Sequence, residues 1–147
     1  VTEPLTPKSR ILAVDFGDAR TGLAATDWTG TIAIPLGRID SRDQQEVIKQ
    51  VLAEALDRDT QGIVVGLPLT LDGTPGERAQ HTQKFVDLLQ QATPIPVATV
   101  DESHTTDEAH ERLKQGGMKA KRRKDHADSI SALVILERYR DFLRRPR

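Results

Sequence analysis

Three acidic residues stand where a folded chain seldom leaves a carboxylate idle. Asp15 lies inside the apolar run Arg10–Phe16 (RILAVDF), between Val14 and Phe16. An ionised carboxylate in such a core is costly unless something pairs with it. Glu102 follows Asp101 at the exit of a second apolar run, which ends at Val100. Asp128 precedes Ser131, Ala132 and Ile135 by three, four and seven residues, so these share one helical face. The small members of that face would let a helix lie close against a sheet. Acids gathered from three distant segments repel one another, and a divalent cation relieves that repulsion. The chain has no cysteine, which excludes disulfides, thiolate zinc centres and a cysteine nucleophile. A metal would be held by carboxylates, histidines or water, and oxygen ligands alone suit Mg²⁺ or Mn²⁺. Singly, each acid has a plainer account. An Asp in a strand can cap a turn, an Asp near a helix start can serve the helix dipole, and an Asp-Glu pair after a strand can be solvated. The constellation is what points to chemistry.

A second feature has the opposite charge. Lys119-Ala120-Lys121-Arg122-Arg123-Lys124 places five cations in six residues, directly ahead of the helix expected to carry Asp128. The net charge of −1 hides a polarity, +6 over residues 119–147 and −7 over residues 1–118. A cationic loop beside an acidic metal site suits an approaching phosphate backbone, so nucleic acid is the expected partner. The plainer account is a solvated loop. With five aromatic residues in the chain, base stacking is not the expected mode of recognition. His81, His104, His110 and His126 lack the spacing of a metal motif and read as surface residues. His104, two residues after Glu102, is the one placed to shuttle a proton. Trp28 and Phe16 read as packing residues.

The elements that must position these groups follow from period and punctuation. Arg10–Phe16, Gly22–Thr26 and Thr31–Leu36 read as a three-strand meander, with Asp27-Trp28-Thr29-Gly30 as a turn. Ser41 is the expected N-cap of a helix in which Val47, Ile48, Val51, Leu52, Ala55 and Leu56 recur at helical spacing. Gly62–Gly66 reads as a fully buried strand, too apolar and too β-branched to be a surface loop. Leu67–Gly76, with two prolines and two glycines, is a loop. A helix over Glu77–Gln91, a strand over Ile95–Val100, a short helix over Thr105–Gln115 and a last helix from about Asp125 to Leu143 complete the order. This is an α/β chain with a mixed sheet. At 147 residues, 37% hydrophobic and 29% charged, it has the size and balance of one globular domain. The expected organisation is a disordered tail over residues 1–9, one domain over 10–143 and a basic tail over 144–147. Val1–Arg10 is polar, and no segment approaches the roughly 20 apolar residues that cross a bilayer, so a cytoplasmic location without a membrane partner is expected.

Asp15-x-Gly17 with Gly22 also resembles the phosphate loop of actin-like ATPases and sugar kinases, but those need two such domains. The wider pattern is similar to the YqgF family, also described as RuvX, from about Arg10 to Phe142. Its first motif, Asp-x-Gly-x-Lys-Arg-x-Gly, is matched by Asp15, Gly17, Arg20 and Gly22, with Ala19 in place of lysine. Gly66-Leu67-Pro68-Leu69 with Asp72-Gly73-Thr74 resembles the family's signature loop. Asp101 and Glu102 match its Asp-Glu-Arg motif, with Ser103 in place of arginine. Asp128 followed by Ser129-Ile130-Ser131-Ala132-Leu133-Val134-Ile135-Leu136 matches the final motif.

The resemblance implies a ribonuclease H-like fold: a mixed five-stranded sheet, a meander followed by alternating helices and strands, and helices on both faces. It implies that Asp15, Glu102 and Asp128 form the acidic triad of a nuclease, with RNA, the 5′ end of pre-16S rRNA, as substrate. The expected chemistry is phosphodiester hydrolysis by two ions about 4 Å apart. Asp15 would bridge them, Glu102 would hold the ion of the attacking water and Asp128 that of the departing oxygen. Arg20, Lys119, Lys121, Arg122, Arg123 and Lys124 would contact the nucleic acid. Asp101, Asp125 and His104 would stand behind the triad. Two rivals are a Holliday junction resolvase acting on branched DNA, which needs a homodimer, and a module that binds structured nucleic acid without cutting it. A pure binder gains nothing from three acids facing phosphates. Monomer and homodimer both fit the sequence.

Overall fold

The computed structural model describes residues 4–69, 76–102 and 120–145, with the backbone alone for 120–128. Five strands, β1 (Ile11–Asp15), β2 (Arg20–Thr26), β3 (Ala33–Asp40), β4 (Gly62–Leu67) and β5 (Val97–Asp101), form one sheet in the order β3-β2-β1-β4-β5. The meander β1-β2-β3 is antiparallel, whereas β4 and β5 join β1 in parallel. Helices α1 (Gln44–Asp57), α2 (Glu77–Ala92) and α3 (Ala120–Arg144) complete the described elements. This is the expected mixed sheet. The helix expected over Thr105–Gln115 lies outside the described residues.

Alternation along each strand decides which helix covers which face. Leu12, Val14 and Phe16 of the β1 region point to one side, with Val47 and Val51 of α1 and Phe85 and Leu89 of α2. Ile11, Ala13, Ala24 and Val64 point to the other, under Ala132, Ile135 and Leu136 of α3. Alanines on both sides of that second contact let α3 settle close to the sheet. Phe16 stacks on the fully buried Phe85 with ring centroids 4.0 Å apart. Burying such a side chain stabilises by about 1.5–3 kcal/mol, and here it fixes the residue that follows Asp15.

Several local expectations are corrected. The N-cap of α1 is Asp43, whose carboxylate accepts from Gln45 N at 3.0 Å. Ser41, the expected cap, instead accepts from Asp43 N at 3.1 Å, so the helix begins two residues later. The strand expected over Thr31–Leu36 runs from Ala33 to Asp40, because Asp27 accepts from the backbone N of Thr31 and Ile32 and keeps those residues in the turn. Within residues 4–10, Thr6 N donates to the buried Ser9 Oγ at 2.8 Å in a turn ahead of β1. Arg140 ties it down by donating to Pro7 O. The last helix starts at Ala120, so positions 120–124 of the basic run are helical rather than a loop. Alanine, lysine and arginine are strong helix formers, and that outweighs the poor fit of cations to a helix N-terminus. Trp28, expected to pack, is 76% exposed.

Candidate active site

Asp15 ends β1 and Glu102 immediately follows β5, both at the same end of a parallel set of strands. Alternation from Ile11 and Ala13 puts Asp15 on the α3 face, and alternation from Ala98 and Val100 puts Glu102 there too. The next residue of β4 on that face, after Val64, is Gly66, which pairs with Val100. Glu102 N donates to Leu67 O at 3.1 Å, which extends the β4–β5 ladder to the acid itself. Asp15 is half-buried, Glu102 only 7% exposed, and the two carboxyl groups are hydrogen bonded to each other. Among the described residues, Oε1 of Glu102 is buried and has no hydrogen-bond partner.

Gly66 makes room for this arrangement. A Cβ there would lie 2.5 Å from Ile135 Cδ1, 2.8 Å from Glu102 Oε2 and 2.9 Å from Glu102 Cβ. Glu102 thus folds over a bare stretch of backbone, against the side chain that seats α3. Gly66→Ala is expected to lower stability by about 1–3 kcal/mol through overpacking and to displace the carboxylate. Adding Ile135→Val, which removes Cδ1, should restore the urea midpoint without restoring cleavage. A Gly66→Ala protein that cuts at the wild-type rate would show that Glu102 tolerates displacement.

Burial, then repulsion from Asp15 and the hydrogen bond with it, push the Glu102 carboxyl up to about 9, with Arg78 opposing. The folded protein therefore binds a proton that the unfolded chain releases near the ordinary value of 4.5. Its stabilising contribution is full below that value and is lost as pH rises towards 9. In EDTA, the urea midpoint of the wild type should fall more steeply between these limits than that of Glu102→Gln. Parallel profiles would mean that Glu102 is ionised in the folded protein throughout.

The other expected residues divide. Asp101 is exposed on β5, its carbonyl accepting from Arg138 Nη1 at 2.8 Å. Arg20 is exposed at the start of β2, across the tight β1–β2 turn from Asp15. At Gly17, in that turn, any Cβ would collide with Arg20 O. His104 and Lys119 lie outside the described residues, as do the side chains of Lys121, Arg122, Arg123, Lys124, Asp125 and Asp128. Position 128 adjoins the buried Ser129, which pins α3 to the irregular pairing of β2 and β3. Ser129 Oγ donates to Leu23 O at 3.0 Å and accepts from Gly37 N at 2.9 Å. Ser131, Ala132 and Ile135, expected to share a face with Asp128, are all buried.

Among the described residues, no group of three His, Asp or Glu side chains gathers as a metal cage. What they supply is a pair of carboxylates, buried enough to repel and with an oxygen left without a donor. That donor set fits a hard divalent cation, which prefers oxygen ligands. Sequence reasoning missed Arg78, whose charge acts on Glu102, and the steric role of Gly66. Arg78 stands two residues after a Pro/Gly-rich loop at a helix start, where nothing in the sequence marks one cation above another.

Comparison with known proteins gives a consistent set of likenesses. The family model RuvX, described as Holliday junction resolvase, matches residues 9–141. A protein of Protochlamydia amoebophila (strain UWE25) named "Putative pre-16S rRNA nuclease" is 39% identical over 140 residues, which cover 90% of this chain and 93% of the relative. A Synechococcus sp. (strain JA-3-3Ab) protein of the same name is 42% identical over 130 residues, 88% of this chain and 82% of the relative. Among solved structures, T. thermophilus RuvC in complex with Holliday junction substrate is similar with a TM-score of 0.55 at 14% identity, over 92% of this chain and 97% of that one. The fowlpox virus resolvase with its Holliday junction DNA is similar with a TM-score of 0.55 at 11% identity, over 92% and 99%. At such identities the structural likeness speaks for the fold alone, and that fold is the ribonuclease H-like one of RuvC-type resolvases. No helix among the described residues is long and apolar enough to cross a membrane.

Proposed function

The chain belongs to the RuvX family, and from that premise we propose that it is a divalent-metal-dependent nuclease hydrolysing phosphodiester bonds in precursor 16S rRNA. The observation that carries the reading is the buried Glu102 carboxyl held against Asp15 with one oxygen that finds no donor among the described residues. A purely structural acid in that position would be expected to have both carboxyl oxygens met by hydrogen-bond donors. The relatives named above supply the substrate class.

Asp15 and Glu102 would hold Mg²⁺ or Mn²⁺, with Asp128 as the third ligand. The bound cation supplies Lewis-acid stabilisation of the charge that develops on the phosphate oxygens. Because burial and the neighbouring Asp15 raise the Glu102 carboxyl, loading would displace a proton and metal affinity would rise with pH. Ile135 and Gly66 fix the Glu102 side chain in place before any ligand arrives, so little reorganisation is needed. Arg20 and the cations of residues 119–124 draw the phosphate backbone towards these acids, which alone would repel it.

The test is a cleavage assay on matched structured RNA, DNA duplex and four-way DNA junction, each with Mg²⁺, Mn²⁺ or EDTA. Metal-dependent cutting of the RNA is expected. No cutting with either metal would overturn the reading. Preferential cutting of the junction, together with a dimeric elution volume, would favour the second reading, a resolvase, which the family description supports.

Replacing Lys121, Arg122, Arg123 and Lys124 with alanine separates grip from chemistry. Side chains that touch only phosphates position a substrate and carry little sequence information. Affinity should fall, and the dependence of log affinity on log salt should flatten by about 0.7–0.9 for each phosphate no longer neutralised. Helical spacing spreads these four positions around the axis, so fewer than four phosphates should be affected. Turnover at saturating substrate should change much less. Unchanged affinity and salt slope would make the run solvated surface.

A further inference from the structure

The end of the sheet away from Asp15 carries a feature that nuclease chemistry does not use. Thr26, which closes β2, accepts from the backbone N of Ile11, the first residue of β1, whereas Asp15 is the last. Just beyond Thr26 stands Trp28, the only tryptophan of the chain and 76% exposed. Thr26, Trp28, Glu54, Asp57, Arg58 and Asp59 line a groove of about 440 Å³ there. A large aromatic left in water at the edge of a groove marks an interaction surface more often than an accident of packing.

The chemistry of the rim selects the partner. The indole already accepts one guanidinium, because Arg10 lies 5.7 Å over its ring. Arg10 is held there by Asp59, donating to its carbonyl at 2.8 Å and its carboxylate at 3.1 Å. Arg58 is engaged by Glu54 at 2.7 Å. The Asp57 carboxylate forms no ion pair or hydrogen bond with the described residues. Three lining acids, Glu54, Asp57 and Asp59, against the two engaged arginines Arg10 and Arg58 leave one uncompensated carboxylate, which repels a phosphate backbone and attracts a cation. We propose that this groove docks a cationic segment of a partner protein, an arginine or lysine side chain settling on the Trp28 indole with Asp57 as its counter-ion. The pairing matches the general preference of cations for tryptophan faces, strengthened by an adjacent carboxylate. It is independent of the catalytic acids.

Because Trp28 is the sole indole, intrinsic fluorescence of the full chain reports on the groove directly. An arginine–glycine peptide should shift the emission saturably, while a glutamate–glycine peptide and a single-stranded RNA of equal length should not. Anisotropy of the labelled arginine–glycine peptide should show Asp57→Lys and Trp28→Ala each weakening binding by about tenfold or more. Both positions are exposed, so both variants should keep the wild-type circular dichroism and cleavage rate. Asp15→Asn should bind the peptide as the wild type does, whether or not it cuts. The proposal is overturned if the emission does not move up to millimolar peptide, if both variants bind the peptide undiminished, or if the RNA produces the same shift.

Discussion

Asp15→Asn is expected to abolish cleavage while leaving the fold at least as stable as the wild type. A bound cation contributes several kcal/mol of charge stabilisation in phosphoryl chemistry. Losing it through one missing carboxylate should lower the rate on the order of 10³-fold or more, about 4 kcal/mol of barrier. Asparagine keeps the shape of the side chain, and its amide oxygen can still accept from the protonated Glu102. It removes the negative charge whose repulsion raises the Glu102 carboxyl. The variant should therefore gain stability relative to the wild type at alkaline pH, where both acids would otherwise ionise. Cleavage rates with Mg²⁺ and Mn²⁺, and urea midpoints in EDTA, check the two halves separately. A variant that cuts at the wild-type rate with either metal would remove Asp15 from the site and with it the metal-dependent reading. A variant that fails to fold would make Asp15 a structural acid instead.

The second large effect is an asymmetry between neighbours. Glu102→Gln should lower the cleavage rate on the order of 10²–10³-fold, about 3–4 kcal/mol, whereas Asp101→Asn should cost far less. Adjacent residues at a strand end face opposite ways, and here one carboxyl is buried against Asp15 while the other residue is exposed. Glutamine preserves the length and packing of the side chain over Gly66 but supplies a neutral oxygen where a cation needs a charged one. Equal losses from the two substitutions would show that the acids act as a pair or that Asp101 is the ligand. Intact activity in Glu102→Gln would leave its burial without a catalytic purpose.

Much of the frame was legible because it rests on local periodicity. The continuous apolar runs of Ile11–Asp15 and Gly62–Leu67, helical spacing in Val47, Ile48 and Val51, and the Asp27–Gly30 turn each depend on near neighbours. Legibility failed where neighbours gave conflicting advice. Cations at a helix start argue for a loop under the dipole rule and for a helix under propensity, and the backbone from Ala120 follows propensity. Trp28 is apolar enough to read as core, yet it sits in a turn at the sheet end and stays largely exposed.

For the site, the sequence by itself determined which acids were unusual, because an acid inside or at the end of an apolar run is anomalous wherever the run folds. It also determined, through alternation, that Asp15 must share a face with Ile11 and Ala13. Only the tertiary structure decided that Asp15 and Glu102 meet. Their separation in the chain is spanned by two parallel crossovers, β1 to β4 and β4 to β5, whose register no local pattern encodes. The tertiary structure also decided that Glu102 is the buried acid of its pair and that Gly66 must lack a side chain beneath it. Both follow from the closeness with which α3 packs through Ile135 on β4. That distance is set by the side chains of four segments at once and is written in none of them alone.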